Sequence, residues 1–254
     1  MQIYYSIIMF IMGSCFGSFY NVVGYRIPRD MSIVKPASHC QTCKHPLGIL
    51  DLFPVFSFLL LRGKCRYCKT RLGIFYPIFE LITGILFVLC YLLYGFSIEL
   101  VIALTFISLL LIIIISDYQT MIIPDSILIF FGIALVIEIF LKSGFHRLVI
   151  QLLYGIVAFG IMFSIKLLGD FLFKKESMGG GDIKLMFLIG LVLGWQSATL
   201  TVFFASFIAL PPALFLYQKQ ENHEIPFGPF LSIAAMIILL SGVDMNFIID
   251  IFTI

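Results

Sequence analysis

The chain has 254 residues, of which 61% are hydrophobic and 12% charged, and its 16 Lys and Arg against 14 Asp and Glu leave a net charge of +2. Soluble domains average about 25% charged residues, so this composition, with a mean hydropathy of +1.10, excludes a water-soluble globule and describes a polytopic membrane protein. The net charge averages over loops on both sides of a bilayer and says little about partners; where the charges fall says more.

An apolar helix needs about 20 residues to cross the hydrocarbon core. Eight runs qualify in order, at 3–24, 74–95, 97–116, 122–141, 146–168, 183–194, 196–217 and 227–250, the sixth of them short. The expected fold class is therefore all-α, a membrane bundle of about eight transmembrane helices. The first run has neither a basic stretch before it nor a small-residue cleavage site after it, so it is expected to remain as a helix rather than to be removed as a signal peptide. Nine of the 16 Lys and Arg fall between Arg26 and Arg71, and an excess of positive charge marks the cytoplasmic side. That loop is read as cytosolic. Alternating eight crossings then places Lys166, Lys174, Lys175, Lys184 and Lys219 on the same side and leaves only Lys142 and Arg147 outside.

The first helix runs out through Gly17-Ser18-Phe19-Tyr20-Asn21 towards Tyr25 and Arg26, which read as an interfacial anchor with a snorkelling arginine. Cys40 and Cys43 follow, then, after 21 intervening residues, Cys65 and Cys68. Two Cys-x-x-Cys pairs at this separation can bring four thiolates to one tetrahedral Zn²⁺. Disulfides are the alternative, and they are rare in the reducing cytosol. Four cysteines close a site with no open position, so the zinc is expected to be structural; His39 and His45, beside the first pair, are spare ligands at most. No His-Glu-x-x-His stands anywhere in the chain, against a metalloprotease. Cys15 and Cys90 fall inside helices and read as small packing residues. Between the pairs, residues 49–62 are apolar but too short to span, and are expected on the membrane surface. Glu80 follows inside the second crossing, where a cationic partner is expected for it.

Asp117 ends the third crossing and Asp125, directly after Pro124, begins the fourth. Asp182 stands behind Gly179, Gly180 and Gly181 at the start of the short sixth run. Glycines allow a tight, broken helix start, and an acid at such a place is expensive and marks function. Asp125 suits a first helical turn, where the macrodipole favours an acid. Asp182 also fits a plain N-cap. Asp117 sits at the wrong helix end for that explanation. By the topology above all three acids lie on the cytosolic side, and a pair of them could perform general acid/base chemistry.

In this order the motifs resemble the type IV prepilin peptidases, membrane aspartic proteases of the Gly-x-Gly-Asp kind. The likeness runs through Gly17-Ser18-Phe19-Tyr20-Asn21, the four cysteines, Phe53-Pro54-Val55-Phe56-Ser57, Tyr76-Pro77 with Glu80, Asp117 with Pro124-Asp125, Gly179 to Leu185 including Lys184, and Ile225-Pro226-Phe227-Gly228-Pro229-Phe230. It implies domains at 1–24 (first transmembrane helix), 25–73 (cytosolic four-cysteine zinc loop) and 74–254 (protease membrane domain). It implies catalysis by Asp117 and Asp182, with Gly179, Gly180, Gly181, Asp125, Lys184 and Glu80 in support. The substrates implied are prepilins or pseudopilins, cut behind a short basic leader at the cytosolic face of the bacterial cytoplasmic membrane. Membrane lipid is the other expected partner, and nucleic acid is not one. Many members also methylate the new N-terminus from S-adenosylmethionine, which for this chain rests on the resemblance alone. Two other classes remain on the residues themselves: an ion-coupled transporter, which also uses intramembrane acids and broken helices, and a noncatalytic pilus-assembly protein. No inverted repeat of the acid motifs supports the first.

Overall fold

The structure, a computed structural model, describes all residues except 41, 49, 52, 219–224 and 243–254. Its described residues form helices and turns with two isolated β-bridges, in the order α1 (Gln2–Arg26), a 3-10 turn (Ile27–Arg29), α2 (Phe56–Leu60), α3 (Phe75–Tyr94), α4 (Ile98–Thr120), α5 (Asp125–Phe173), α6 (Gly180–Leu193), α7 (Trp195–Gln218) and α8 (Gly228–Ser241). The chain divides into two units, Met1–Phe96 and Ser97–Ile254.

In the first unit α1 packs on α3. In lipid, helices gain nothing by hiding apolar surface from one another, so close backbone approach by small residues has to supply the contact. Gly13 and Gly17, one turn apart, do so. A β-carbon at Gly13 would stand 2.8 Å from the Thr83 carbonyl, one at Gly17 would stand 2.9 Å from Glu80 Cα, and one at Gly84 would stand 2.6 Å from Ser14 Oγ. Asn21 is buried and its side chain donates to the carbonyls of Gly17 at 3.1 Å and Tyr76 at 3.5 Å. It is a helix-to-helix tie rather than an interfacial anchor. Cys90 is fully buried as expected, whereas Cys15 lies on an exposed face of α1.

In the second unit α4 is buried along most of its length and round its circumference, from Leu100 to Asp117, as a helix that is apolar on every side must be. Ser97 caps it, its Oγ accepting from the Leu100 N–H at 3.3 Å. Packed on α4 are α5 and α8; α6 lies against α5, and α7 against α6 and α8. At the α5–α6 contact a β-carbon on Gly190 would stand 2.5 Å from Ala158 Cβ. The outward faces carry large apolar side chains such as Phe130 (68% exposed) and Phe171 (81%), which suits lipid and not water as the solvent.

Among the described residues five helices are long and apolar enough to cross a membrane: Gln2–Arg29, Phe75–Tyr94, Ile98–Thr120, Asp125–Leu172 and Trp195–Phe215. That is fewer full-length crossings than the eight runs expected, and the difference lies at three places. The runs at 183–194 and 227–250 appear as helices of 14 residues, α6 and α8, short of a full crossing; the end of the latter run lies outside the described residues. The runs at 122–141 and 146–168 share the 49 residues of α5, interrupted at Gly144 (φ 73°, ψ 179°). A straight helix of that length would reach about 74 Å, more than twice a bilayer core of about 30 Å. The positive φ, available to glycine at little cost, is where it breaks.

Candidate active site and metal centre

Asp117 lies in the last turn of α4, which Met121 ends in a left-handed conformation (φ 54°). The chain then turns sharply, with the Ser116 hydroxyl donating to the Ile122 carbonyl at 2.6 Å. Pro124 caps α5 and Asp125 opens it. Gly179 caps α6, so Asp182 is its third residue. The N-cap role considered for Asp182 therefore belongs to a glycine.

One side chain ties these segments together. Ile123 sits 2.7 Å from where a β-carbon on Gly181 would be and 3.1 Å from where one on Gly228 would be. The Gly228 N–H, at the start of α8, donates to Asp117 Oδ2 at 3.0 Å, and a β-carbon there would come within 2.6 Å of that oxygen. Asp117 is 6% exposed and Asp182 7%, and Asp182 lies within electrostatic reach of Asp117. Asp182 Oδ1 is buried without a hydrogen-bond partner. Leaving a buried acceptor unmet costs about 1–3 kcal/mol. Among the described residues neither acid has a cationic partner.

The three glycines differ in what they do. Gly181 is pressed against Ile123, Gly179 lies 3.7 Å from Asp182 Oδ2 by its β position, and Gly180 has open space. Asp125 forms a bidentate ion pair with Lys184, its two oxygens 2.7 and 2.8 Å from Nζ, a partner that a helix-start reading does not anticipate. Gly228, quoted in the sequence only as part of a family motif, was given no role of its own there. Its signal was there in Pro226-Phe227-Gly228-Pro229, a helix start preceded by a proline-bounded turn.

Among the described residues Glu80 pairs with no cation. Its Oε2 accepts the Val55 N–H at 2.8 Å, across 25 residues, and Ser18 is a second donor to it. Val55 is held at φ 60°, ψ −51°, a conformation a β-branched residue rarely adopts. The apolar segment around it contributes only the short α2.

Cys40, Cys43, Cys65 and Cys68 come together with all four sulfurs within 4.8 Å of one another. A tetrahedral Zn²⁺ with Zn–S bonds of about 2.3 Å requires sulfurs about 3.8 Å apart; Cys40 and Cys68 are 3.7 Å apart. The residues fit that ion. The two knuckles repeat one geometry. The Cys40 N–H donates to the His45 carbonyl (3.0 Å) and the Cys65 N–H to the Thr70 carbonyl (2.8 Å), while Lys44 and Lys69, each directly after its second cysteine, share φ of 59° and 60°. Main-chain amides of Cys43 and Thr42 draw the Cys40 thiol down, and Thr70, by hydroxyl and amide, draws Cys68 down to about 6. At Cys43 the His45 amide pulls down, but burial and the three neighbouring thiols outweigh it and push the thiol up to about 11. One thiolate-favouring member in each knuckle suits a site that takes a cation. His45 stacks on Tyr67 at 3.6 Å and His39 Nδ1 lies 2.9 Å from the Ala37 carbonyl, so neither joins the cluster. Arg66 Nε donates to Asp51 Oδ1 at 2.6 Å, tying the segment between the knuckles to the second of them.

Two family models match the chain: one described as the bacterial peptidase A24 N-terminal domain over residues 11–94, and one described as the type IV leader peptidase family over residues 104–214. Among relatives, a prepilin leader peptidase/N-methyltransferase of Bacillus subtilis (strain 168) is 35% identical over 238 residues, covering 92% of this chain and 94% of the relative. One of the same name from Neisseria gonorrhoeae is 31% identical over 259 residues, covering 91% and 89%. No solved structure matches.

Proposed function

The chain belongs to the type IV leader peptidase family and is a membrane peptidase of prepilins, and we propose that it cuts them with Asp117 and Asp182 acting as a pair at the cytosolic face. Support comes from one observation above the rest: two acids 65 positions apart in the chain are both buried where Ile123 meets Gly181 and Gly228, Asp117 accepting the Gly228 N–H and Asp182 keeping one oxygen without a partner. Two close carboxyls in a poorly solvated site hold one proton between them. The ionised member takes a proton from water as the water attacks the scissile carbonyl, while the protonated member gives its proton to that carbonyl oxygen; the proton taken from water then passes to the leaving amine as the C–N bond breaks, and the collapsing gem-diol returns a proton to the other carboxylate. The order of ionisation belongs to the pair and not to either residue.

The same reading takes α5 as two crossings broken at Gly144 and α6 and α8 as short ones. That makes eight, with the N-terminus outside and the acids inside. The lysines and arginines support it by their distribution. A Zn²⁺ held by Cys40, Cys43, Cys65 and Cys68 would cross-link the two knuckles, a structural part with no open position.

The relatives' names add an N-methyltransferase, and methylation of the new N-terminus from S-adenosylmethionine is the second activity proposed for this chain. A cleft of about 360 Å³ lined by Gln2, Ile3, Ser6, Ile7, Phe10 and Leu92 does not fit that donor, since Gln2 and Ser6 are its only polar residues and the donor carries an amino acid and a ribose. No residue is assigned to the donor.

The test is to incubate membrane-embedded wild type, Asp117→Asn and Asp182→Asn with a purified prepilin, with and without S-adenosylmethionine, and to weigh the product. Wild type removes the leader, and both variants insert and fold but leave it in place. Normal processing by either variant removes that aspartate from the reaction.

A further inference from the structure

Lys184 follows Asp182 by two residues, which on an α-helix is a rotation of about 200°. The two side chains therefore leave α6 on opposite faces. Asp182 points inwards and is buried; Lys184 points outwards, its side chain 52% exposed, onto the carboxylate of Asp125, 59% exposed. Asp125 in turn opens α5 only eight positions after Asp117, and Ile123, two residues before it, presses on Gly181. Gly181 and Lys184, three residues apart and so neighbours on one face of α6, are both held by the one short segment that descends from Asp117.

We propose that the Lys184–Asp125 ion pair is a latch that positions the catalytic pair: it holds the α6 start, and with it Asp182, in register with Asp117. The inference rests on the assignment of Asp117 and Asp182 to the reaction. Neither latch residue reaches the reacting atoms, so both act through Asp182. An exposed pair contributes about 0–1 kcal/mol to stability, whereas an ångström of misplacement at a reacting centre costs on the order of 100-fold in rate. Loss of the latch therefore shows in turnover and not in folding.

The experiment measures kcat and KM for prepilin cleavage in Lys184→Met, Asp125→Asn, Lys184→Arg and the charge-swapped double variant Lys184→Asp/Asp125→Lys, beside Asp117→Asn as an inactive control. Each neutralised single variant is expected to lose about tenfold in kcat with KM within about twofold of wild type, a partial misplacement on the same scale. Lys184→Arg keeps the rate, and the swap recovers most of it. Raising salt slows wild type towards the single variants while leaving Lys184→Met unchanged, because exposed pairs are screened. Size-exclusion and melting profiles of the single variants match wild type. Single variants as fast as wild type, or a swap as slow as either single, overturn the latch while an inactive Asp117→Asn leaves the catalytic pair standing. An active Asp117→Asn overturns the pair itself, and the latch with it.

Discussion

Gly228 shows how little space separates the acid pair from its support. Its N–H reaches Asp117 Oδ2 at 3.0 Å, and the missing side chain is what allows the approach, since a β-carbon would stand 2.6 Å from that oxygen. Carboxylate and backbone cannot both retreat without breaking the bond. Gly228→Ala is therefore expected to cut cleavage by 100-fold or more, on the order of what a 1 Å displacement costs, with the helix start otherwise preserved. Gly180→Ala, at a position with nothing within 4 Å, should be the mildest of the alanine replacements in the glycine run. Cleavage rates of the two variants side by side check the point. A Gly228→Ala enzyme faster than Gly180→Ala would show that the contact to Asp117 does not matter.

Among elements, the loop between α1 and α3 has the least regular structure, with α2 only five residues long. A segment like that cannot bury enough apolar surface to order itself, and a metal cross-link can supply the missing free energy. Purified protein is expected to carry about one zinc per chain under reducing conditions, following the one-ion, four-thiolate count of a structural site. Cys40→Ser or Cys68→Ser should lose it, as metal analysis would register; protein free of zinc as isolated would leave the cluster without an occupant. Asp51 and Arg66, paired at 2.6 Å, and Glu80, which holds the Val55 amide, fasten the same loop by other means. In α1, Gly13 and Gly17 serve a comparable end by letting α3 approach.

At the scale of the whole molecule, the orientation in the bilayer turns on Gly144. In the proposed topology a break there sends the chain back across the membrane, with residues on either side of it outside and the end of α5 inside. Cysteines introduced at His146 and Lys174 are predicted to differ towards a membrane-impermeant thiol reagent added to intact cells. The first should be labelled from outside and the second only after the membrane is opened, above the background of the parent chain. Equal labelling of the two would place both ends of that helix on one side and end the eight-crossing topology.

Much was readable before any coordinates. Composition alone established a membrane protein, because 12% charged residues cannot clothe a globule of this size in water. Cysteine spacing identified the thiolate cluster, since a knuckle is made by residues three apart. Asp182 stood out by an acid's cost near lipid and Asp117 by its place at the wrong helix end for an acid, while their pairing in catalysis came from the family resemblance. What sequence could not supply was every relation set by distant segments meeting: Glu80 with the Val55 amide, Lys184 with Asp125, Gly228 with Asp117, and the length of α8. Hydropathy sums over neighbours in the chain and cannot see where a helix stops or which backbone amide faces an acid. Those are decided only when Ile123 packs between Gly181 and Gly228, because contact between segments far apart in sequence is a property of the folded chain and of no local window.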